Sequence, residues 1–421
     1  MKASDPPELQ KYQSALSVAI FRRYLPASCL NTFGGWVVRF LLGWSAWELT
    51  HSALWVGVVS GLMLAPSFLL SPVFGIISDR INPRNGLIVT VCLQALVACA
   101  GGVADLLGWY SLSWLLCLAT LFGAVSSAHM PIRLALIPLL VPRTVLASAV
   151  GFSTIIFNTS RILAPAAAAW LITQISVANT FFTATILLVA ALPFLMSVSG
   201  LPDRIQGEST SLFKQFTEGF LYLRRHSGIR LVFGYTLLNA LLGRSVIELL
   251  PALSGQLLGG DAATLATLTA SAGVGSILGG VIMSRQLSDE RRMLSLLTLC
   301  LTAGTICLVP VAWLEGLMPL CAVIMSLSLV TTMVGTGSLI LTQLLVADDY
   351  RGRVISLWAV LAMGGPALGV LVMGGLADTL GFPSVLPGFS LLCIAGIALL
   401  YRRRGQLSQS SGKPSCISLI R

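Results

Sequence analysis

The chain has 421 residues, of which 56% are hydrophobic and only 10% charged, with a formal net charge of +10. Soluble domains carry roughly 25% charged residues, so this composition, with a mean hydropathy of +0.88, argues against a soluble enzyme or a nucleic-acid-binding protein and places most of the chain in lipid. A spanning helix needs about 20 mostly apolar residues, which leaves room for about twelve spans, short loops and two tails, but not for an additional soluble domain.

The N-terminus, MKASDPPELQKYQ, is polar and lacks the apolar core of a signal peptide, so the first span is expected to stay in the mature protein. Apolar runs of spanning length follow at 25–48, 53–78, 86–107, 110–132, 145–174, 178–200, 230–254, 262–284, 293–311, 317–345, 353–377 and 383–401. They predict an all-α integral membrane protein of about 12 transmembrane helices. The one long connection, 201–229, carries Pro202, Asp203, Arg204, Lys214, Arg224 and Arg225 and divides the chain near its middle. Within it, Ser211–Arg225 has the pattern of an amphipathic helix on the membrane surface. The expected organisation is a cytoplasmic tail (1–24), a six-helix bundle (25–200), a cytoplasmic central loop (201–229), a second six-helix bundle (230–401) and a cytoplasmic tail (402–421).

Basic residues set the orientation. Arg22 and Arg23 precede the first span, Arg80 and Arg84 follow the second, and Arg133 and Arg143 separate the fourth from the fifth. The central loop, Arg285, Arg291 and Arg292 after the eighth span, Arg351 and Arg353 after the tenth, and Arg402–Arg404 continue the series on the same side. The opposite loops, around Thr50, Gly108, Ser176, Asp261, Glu315 and Gly381, contain neither Lys nor Arg. Cytoplasmic loops hold the excess of Lys and Arg, so both termini are predicted to be cytoplasmic.

An internal repeat supports two pseudo-symmetric halves. Gly151 and Pro165 recur as Gly352 and Pro366, both offset by 201 residues, and Asn31 and Gly35 recur as Asn239 and Gly243. Parallel half-repeats place a substrate path between two bundles, near the bilayer midplane. The nine cysteines are scattered without a CxxC pair, so neither a disulfide framework nor a zinc site is expected. No GxxxxGK[ST] loop is present, so ATP is not expected to power this chain. No cofactor, metal or catalytic residue is expected.

Gly75-Ile-Ile-Ser-Asp79-Arg80-Ile-Asn-Pro-Arg84, after the second span, resembles the G-x-x-x-D-R-x-x-x-R signature of the major facilitator superfamily. The resemblance implies that Gly75, Asp79, Arg80 and Arg84 steady a cytoplasmic gate; read from the residues alone, the arginines also serve as positive-inside anchors. The second-half counterpart, Gly280 to Ser284-Arg285, lacks the Asp, so such a latch would be asymmetric. Further stretches are similar to bacterial exporters that include the enterobactin exporter and macrolide-type efflux proteins: Phe21-Arg22-Arg23, Leu49-Thr50-His51-Ser52, Leu140-Val141-Pro142-Arg143, Asn158-x-x-Arg161, Leu250-Pro251 and Arg351-Gly352-Arg353-Val354. The fifth span departs from the exporter pattern, with Ala164-Pro165-Ala166 where Gly-Pro is usual.

Three basic residues, Arg39, Arg161 and Arg244, lie inside apolar runs. A charge at the bilayer centre costs at least about 2.5–3.5 kcal/mol, so each needs a partner or a wet cavity. The resemblance implies that spans one, five and seven line a central cavity, where these arginines would suit an anionic or oxygen-rich substrate such as a carboxylate or catecholate siderophore. Glu248 follows Arg244 at i+4, so a structural pair is the alternative there, whereas Arg39 and Arg161 have no acid at helical spacing. Glu248 is the candidate proton carrier, with Glu48 and then His129 as weaker ones; an outer-gate salt bridge or a plain interfacial charge is the alternative for both glutamates. Trp36, Trp44, Trp47, Asn158, Trp358 and Gln343 are candidate cavity residues for ring-bearing substrates, with packing or interface anchoring as the alternative. The resulting expectation is a monomeric, proton-driven secondary exporter of a siderophore or drug-like compound working by alternating access. Uptake of a small anionic metabolite, and a non-transporting sensor or scaffold on the same fold, are the alternatives.

Overall fold

The computed structural model describes residues 14–199, 212–284, 290–347 and 350–403. Their elements are helices: α1 (Ala19–Thr50), α2 (Ala53–Arg80), α3 (Pro83–Leu106), α4 (Leu112–Leu140), α5 (Leu146–Gln174), α6 (Val177–Met196), α7 (Leu212–Arg225), α8 (Ser227–Asn239), a π turn (Ala240–Arg244), α9 (Ser245–Glu248), α10 (Leu250–Leu258), α11 (Ala262–Ser284), α12 (Glu290–Leu308), α13 (Leu317–Leu345), α14 (Arg351–Leu380) and α15 (Phe382–Arg403), with short 3-10 turns between some of them. Among the described residues, α3–α6 and α11–α15 are nine helices long and apolar enough to cross a membrane, and the bent unit α8–α10 makes a tenth. The 32-residue α1 falls short of that apolarity because Asn31 and Arg39 interrupt its apolar run. In α2 the stretch Ala53–Pro66, whose side chains are all described, is apolar but by itself shorter than a span. Both pack among the ten, and the crossing elements then match the sequence expectation of about 12.

The packing repeats along the chain. α2 lies on α4 as α11 lies on α13, and α3 lies on α6 as α12 lies on α15. Small residues permit the closest of these approaches. A Cβ on Gly123 of α4 would meet the Leu62 and Met63 carbonyl oxygens of α2, and one on Gly275 or Gly279 of α11 would overlap the α13 backbone at Met325 or Leu329. The sequence match between Asn31 and Asn239 has a structural counterpart. Asn31 donates to His129 on the fourth crossing helix, and Asn239 donates to the Thr331 carbonyl on the tenth, at 3.0 and 3.2 Å. Two further pairings, α2 with α14 and α5 with α11, join the first six helices to the later ones.

The seventh span is not the unbroken helix expected over 230–254. It widens into the π turn at Ala240–Arg244 and then bends by 60° between Glu248 and Leu250. Pro251 accounts for the bend: it has no N–H to give to the turn before it, and its ring excludes the carbonyl four residues back. The Ser245 hydroxyl donates to the Ala240 carbonyl at 3.0 Å and so satisfies the widened turn. α14 crosses closely over this turn, since a Cβ on Gly365 or Gly369 would meet Ala240, Leu241 or Ser245.

Helices alternate in direction, so the α1–α2, α3–α4, α5–α6, α10–α11, α12–α13 and α14–α15 connections share one end, the distal end, opposite the terminal end where α1 starts and α15 finishes. At the distal end the first six helices are bound to the later ones. The Asp378 carboxylate of α14 accepts from the Ser52 hydroxyl and the Ala53 amide, both at 2.5 Å, and from the Leu54 amide at 3.3 Å. It therefore caps the N-terminus of α2, where backbone N–H groups lack intrahelical partners. The Trp47 indole lies over Gly255, where a Cβ would collide with the ring.

At the terminal end α7 forms as the amphipathic pattern of Ser211–Arg225 implied. It is fastened to the start of α14 and the turn before it: Glu218 pairs with Arg353 at 2.8 Å, and Tyr222 stacks on Tyr350 with ring centroids 4.7 Å apart.

Candidate functional site

Arg39, Arg161 and Arg244 come from α1, α5 and the π turn, and the structure gathers them around Trp36 and Glu248. Arg39 Nη2 donates to Glu248 Oε2 at 2.5 Å, across two helices that are 209 residues apart in sequence. Arg244 Nη2 stands 3.9 Å from Glu248 Oε1. The short bond of Glu248 is thus to Arg39, which has no acid at helical spacing, while the i+4 pair that the sequence offers as one alternative is the long one. Helical spacing detects partners on the same helix only, and the closer partner here is on another helix.

Trp36, one turn before Arg39, presents its ring to two cations. The Arg39 and Arg161 guanidinium carbons lie 5.8 and 6.0 Å from the ring centroid, within cation–π range. Phe157 of α5 meets the same indole edge-on at 5.6 Å. Arg161 donates to the Ser276 hydroxyl of α11 at 2.9 Å, and the Thr332 hydroxyl of α13 donates to the same oxygen at 3.0 Å. Ser60 of α2 donates to the Glu248 backbone carbonyl at 3.3 Å. Elements from the first six helices and from the later ones therefore meet in one polar layer.

The charges do not cancel. Three arginines face one glutamate, leaving a formal excess of two positive charges. Glu248 is 11% exposed, whereas the Arg39 and Arg244 side chains are 25% and 33% exposed, so the cations reach accessible space and the acid is enclosed behind them. Planar guanidinium groups beside an aromatic ring suit bidentate binding of carboxylates and stacking of a flat organic body.

The other candidates are placed apart. Asn158 is half-buried, donates to the Thr154 carbonyl of its own helix at 3.0 Å, and lies one turn before Arg161. Gln343 is exposed near the terminal end of α13, about 16 Å along the helix from Thr332 at roughly 1.5 Å per residue, and does not join the cluster. The Trp358 indole donates to Ser338 at 3.1 Å, and Trp44 and Trp47 are buried in packing. Glu48 is exposed near the distal end of α1. His129 is buried and fully bonded: Asn31 donates to Nε2, and Nδ1 donates to Thr90 Oγ1, each at 3.0 Å. That pattern defines a neutral ring serving the first six helices.

Gly75, Asp79 and Arg80 lie on α2 in a stretch whose side chains fall outside the described residues. Arg84 is described. Its Nε donates to the Leu195 carbonyl at 3.1 Å and its Nη2 to that of Met196, so it closes the C-terminus of α6 rather than reaching the later helices.

Sequence reasoning missed Ser276, Thr332, Phe157 and Asp378. The first two are small hydroxyl residues in runs rich in small residues, with no signal apart from Arg161 itself. Asp378 had one: it is the single acid on α14, whose other charges, Arg351 and Arg353, lie at the opposite end.

A charged layer between two sets of antiparallel membrane helices is an arrangement that suits a membrane transporter, and the family match places the chain among those of the major facilitator type. The chain belongs to the family described as transmembrane secretion effector, whose model matches residues 12–415. It is 25% identical over 395 residues to the staphyloferrin A transporter of Staphylococcus aureus, covering 91% of this chain and 96% of that protein. It is 24% identical over 364 residues to macrolide efflux protein A of Streptococcus pyogenes, covering 83% and 87%. Solved structures of similar fold include a bacterial homologue of the human lysosomal transporter Spinster in an inward-facing, occupied conformation, with TM-score 0.73, 12% identity and coverage of 94% and 98%. The nucleoside transporter NupG superposes with TM-score 0.75 at 11% identity, covering 91% and 99%. This chain is thus a multi-pass membrane transporter for a small molecule.

Proposed function

We propose that this transporter is a secondary active exporter of a small anionic organic molecule, with a carboxylate-bearing siderophore or an acidic drug-like compound as the substrate class. The observation that carries the reading is the excess of two arginines over glutamate around Trp36, at the junction of α1, α5 and the seventh span. The relatives support the direction and the range: one is a siderophore transporter and the others efflux macrolides.

The proposed working unit is one chain in the bacterial cytoplasmic membrane, with both termini inside, an orientation that the absence of Lys and Arg from the distal loops supports. The two six-helix halves, 25–200 and 230–401, rock about the cluster. In the state described here the distal end is closed by Asp378 on α2 and by Trp47 on Gly255. Release outward requires these contacts to part, while Asp79 and Arg80 hold the cytoplasmic side. Substrate binds Arg39, Arg161 and Arg244 with its acid groups and stacks on Trp36, and Asn158 borders the same path. Glu248 exchanges protons with the cavity, which makes transport sensitive to the proton gradient as well as to the membrane potential.

Everted membrane vesicles test this. Energised vesicles carrying the protein should accumulate a carboxylate siderophore, and Arg161→Ala should abolish the accumulation. Vesicles that accumulate neither that siderophore nor a macrolide would refute export.

A further inference from the structure

Glu248 occupies the donors that an incoming anion needs. Its Oε2 takes Arg39 at 2.5 Å and its Oε1 faces Arg244 at 3.9 Å. The groups facing it are Arg39 from α1, Arg244 from the preceding turn and, through the shared Trp36 ring, Arg161 from α5, with the Ser60 hydroxyl of α2 on its backbone. α10 carries no ionisable side chain, and α14 carries none between Val354 and Ala377, so no second acid competes there. His129 makes its contacts within the first six helices.

We propose that Glu248 is an internal stand-in for the substrate anion, so that anion loading and protonation of Glu248 favour each other. The inference rests on the anion-site reading above and adds the sign of its coupling. An ionised Glu248 neutralises Arg39 and Arg244 and repels a second anion. When an anion displaces it from Arg39, Glu248 is left enclosed without its cation, and a buried carboxylate in that position takes up a proton. The proton comes from the water of the cavity and resides on a Glu248 carboxylate oxygen; no bond of the substrate is made or broken. Reciprocity follows: whatever factor a proton adds to anion affinity, the anion adds to proton affinity. A dianion therefore crosses with one proton as a single net negative charge. Export of that load is drawn by a membrane potential negative inside, and the pH gradient alone opposes it.

The experiment uses the full-length protein in detergent and benzene-1,3-disulfonate, an aromatic dianion whose charges do not titrate in the working range. Calorimetry in buffers of different ionisation enthalpy measures Kd and the protons taken up at several values between about pH 5 and 8. The wild type should bind more weakly as pH rises, by up to about tenfold per unit, and take up to one proton per anion. Glu248→Gln should bind at least as tightly as the wild type at its lowest pH, with no slope and no proton uptake. A wild-type affinity that is flat or strengthens with pH overturns the proposal, as does a slope retained in Glu248→Gln. The wild-type proton count decides the matter even if the variant does not fold. If the wild type binds no dianion at any pH, the anion-site reading itself fails, a different outcome from binding without linkage.

Discussion

Among the described residues, two of the buried polar networks in the spanning helices differ in kind. The first joins Arg39, Arg161, Arg244 and Glu248 across the junction between the first six helices and the later ones, and leaves its cations partly exposed. The second joins Asn31, His129 and Thr90 inside the first six helices, with exposures of 7%, 8% and 4% and every ring nitrogen bonded. An ionisable residue in a membrane is a functional candidate by default, but the comparison shows that the default needs a location. At a junction that must open and close, unbalanced charge is available to a ligand. Inside one packed set of helices, a neutral and satisfied histidine serves the packing.

The contrast can be broken by substitution. Arg39→Ala should have the largest effect, because it strands Glu248 without its 2.5 Å partner. Leaving a buried charge unpaired costs about 3–5 kcal/mol, and the expected loss is near 3 because Arg244 remains within reach. Thermal unfolding in detergent would measure it, and anion transport should be lost together with stability. His129→Ala should cost about 1–3 kcal/mol, the range for leaving buried partners unsatisfied. Transport per folded molecule should nevertheless stay within about twofold, with the rate normalised to folded protein as the measurement; a loss tenfold or greater would assign the ring a role in the cycle.

The distal closure offers a smaller and separate effect. Asp378→Ala removes the cap from α2, and caps contribute about 0.5–2 kcal/mol. A change near 1 kcal/mol shifts a two-state equilibrium about fivefold, so spin labels placed across the α1–α10 contact should report a larger population of long distances. The smallest effect concerns Asp261, at the start of α11. The amide and hydroxyl of Thr264 hold its carboxyl below the usual value. A carboxyl lowered on folding stabilises the fold above its unfolded pKa and loses that contribution as pH falls through the lower folded one. A slight drop in melting temperature is therefore expected on acidification below about pH 4, and Asp261→Ala should lack it.

Much of the fold was legible because membrane constraints are strong and local. Span length, the one-sided placement of Lys and Arg, and the match of Asn31 with Asn239 could each be read without knowledge of contacts. The three intramembrane arginines were legible for the same reason, since the cost of burying them is a property of each residue alone. What the sequence did not reveal was pairing between helices. Spacing offers Glu248 a pair with Arg244, and its shorter bond is to Arg39. Arg84 was read with the cytoplasmic gate, yet it closes α6. Gln343, a cavity candidate by residue type, lies about three turns from Thr332 along α13. The bend after Glu248 was foreshadowed only by Pro251, and the π turn by nothing in the pattern of apolar residues.

The central claim is that the arginines select charge. Its most direct test is counterflow in proteoliposomes of two ring-bearing compounds of equal size, one anionic and one neutral, by the wild type and Arg161→Ala. Arg161 contacts Ser276 and the Trp36 ring, and its removal leaves the Arg39–Glu248 bond in place. The account requires anion transport to fall by about tenfold or more, the loss of one charge-assisted contact, while the neutral compound changes by less than about twofold. An equal loss for both compounds would make Arg161 a packing residue and contradict the account.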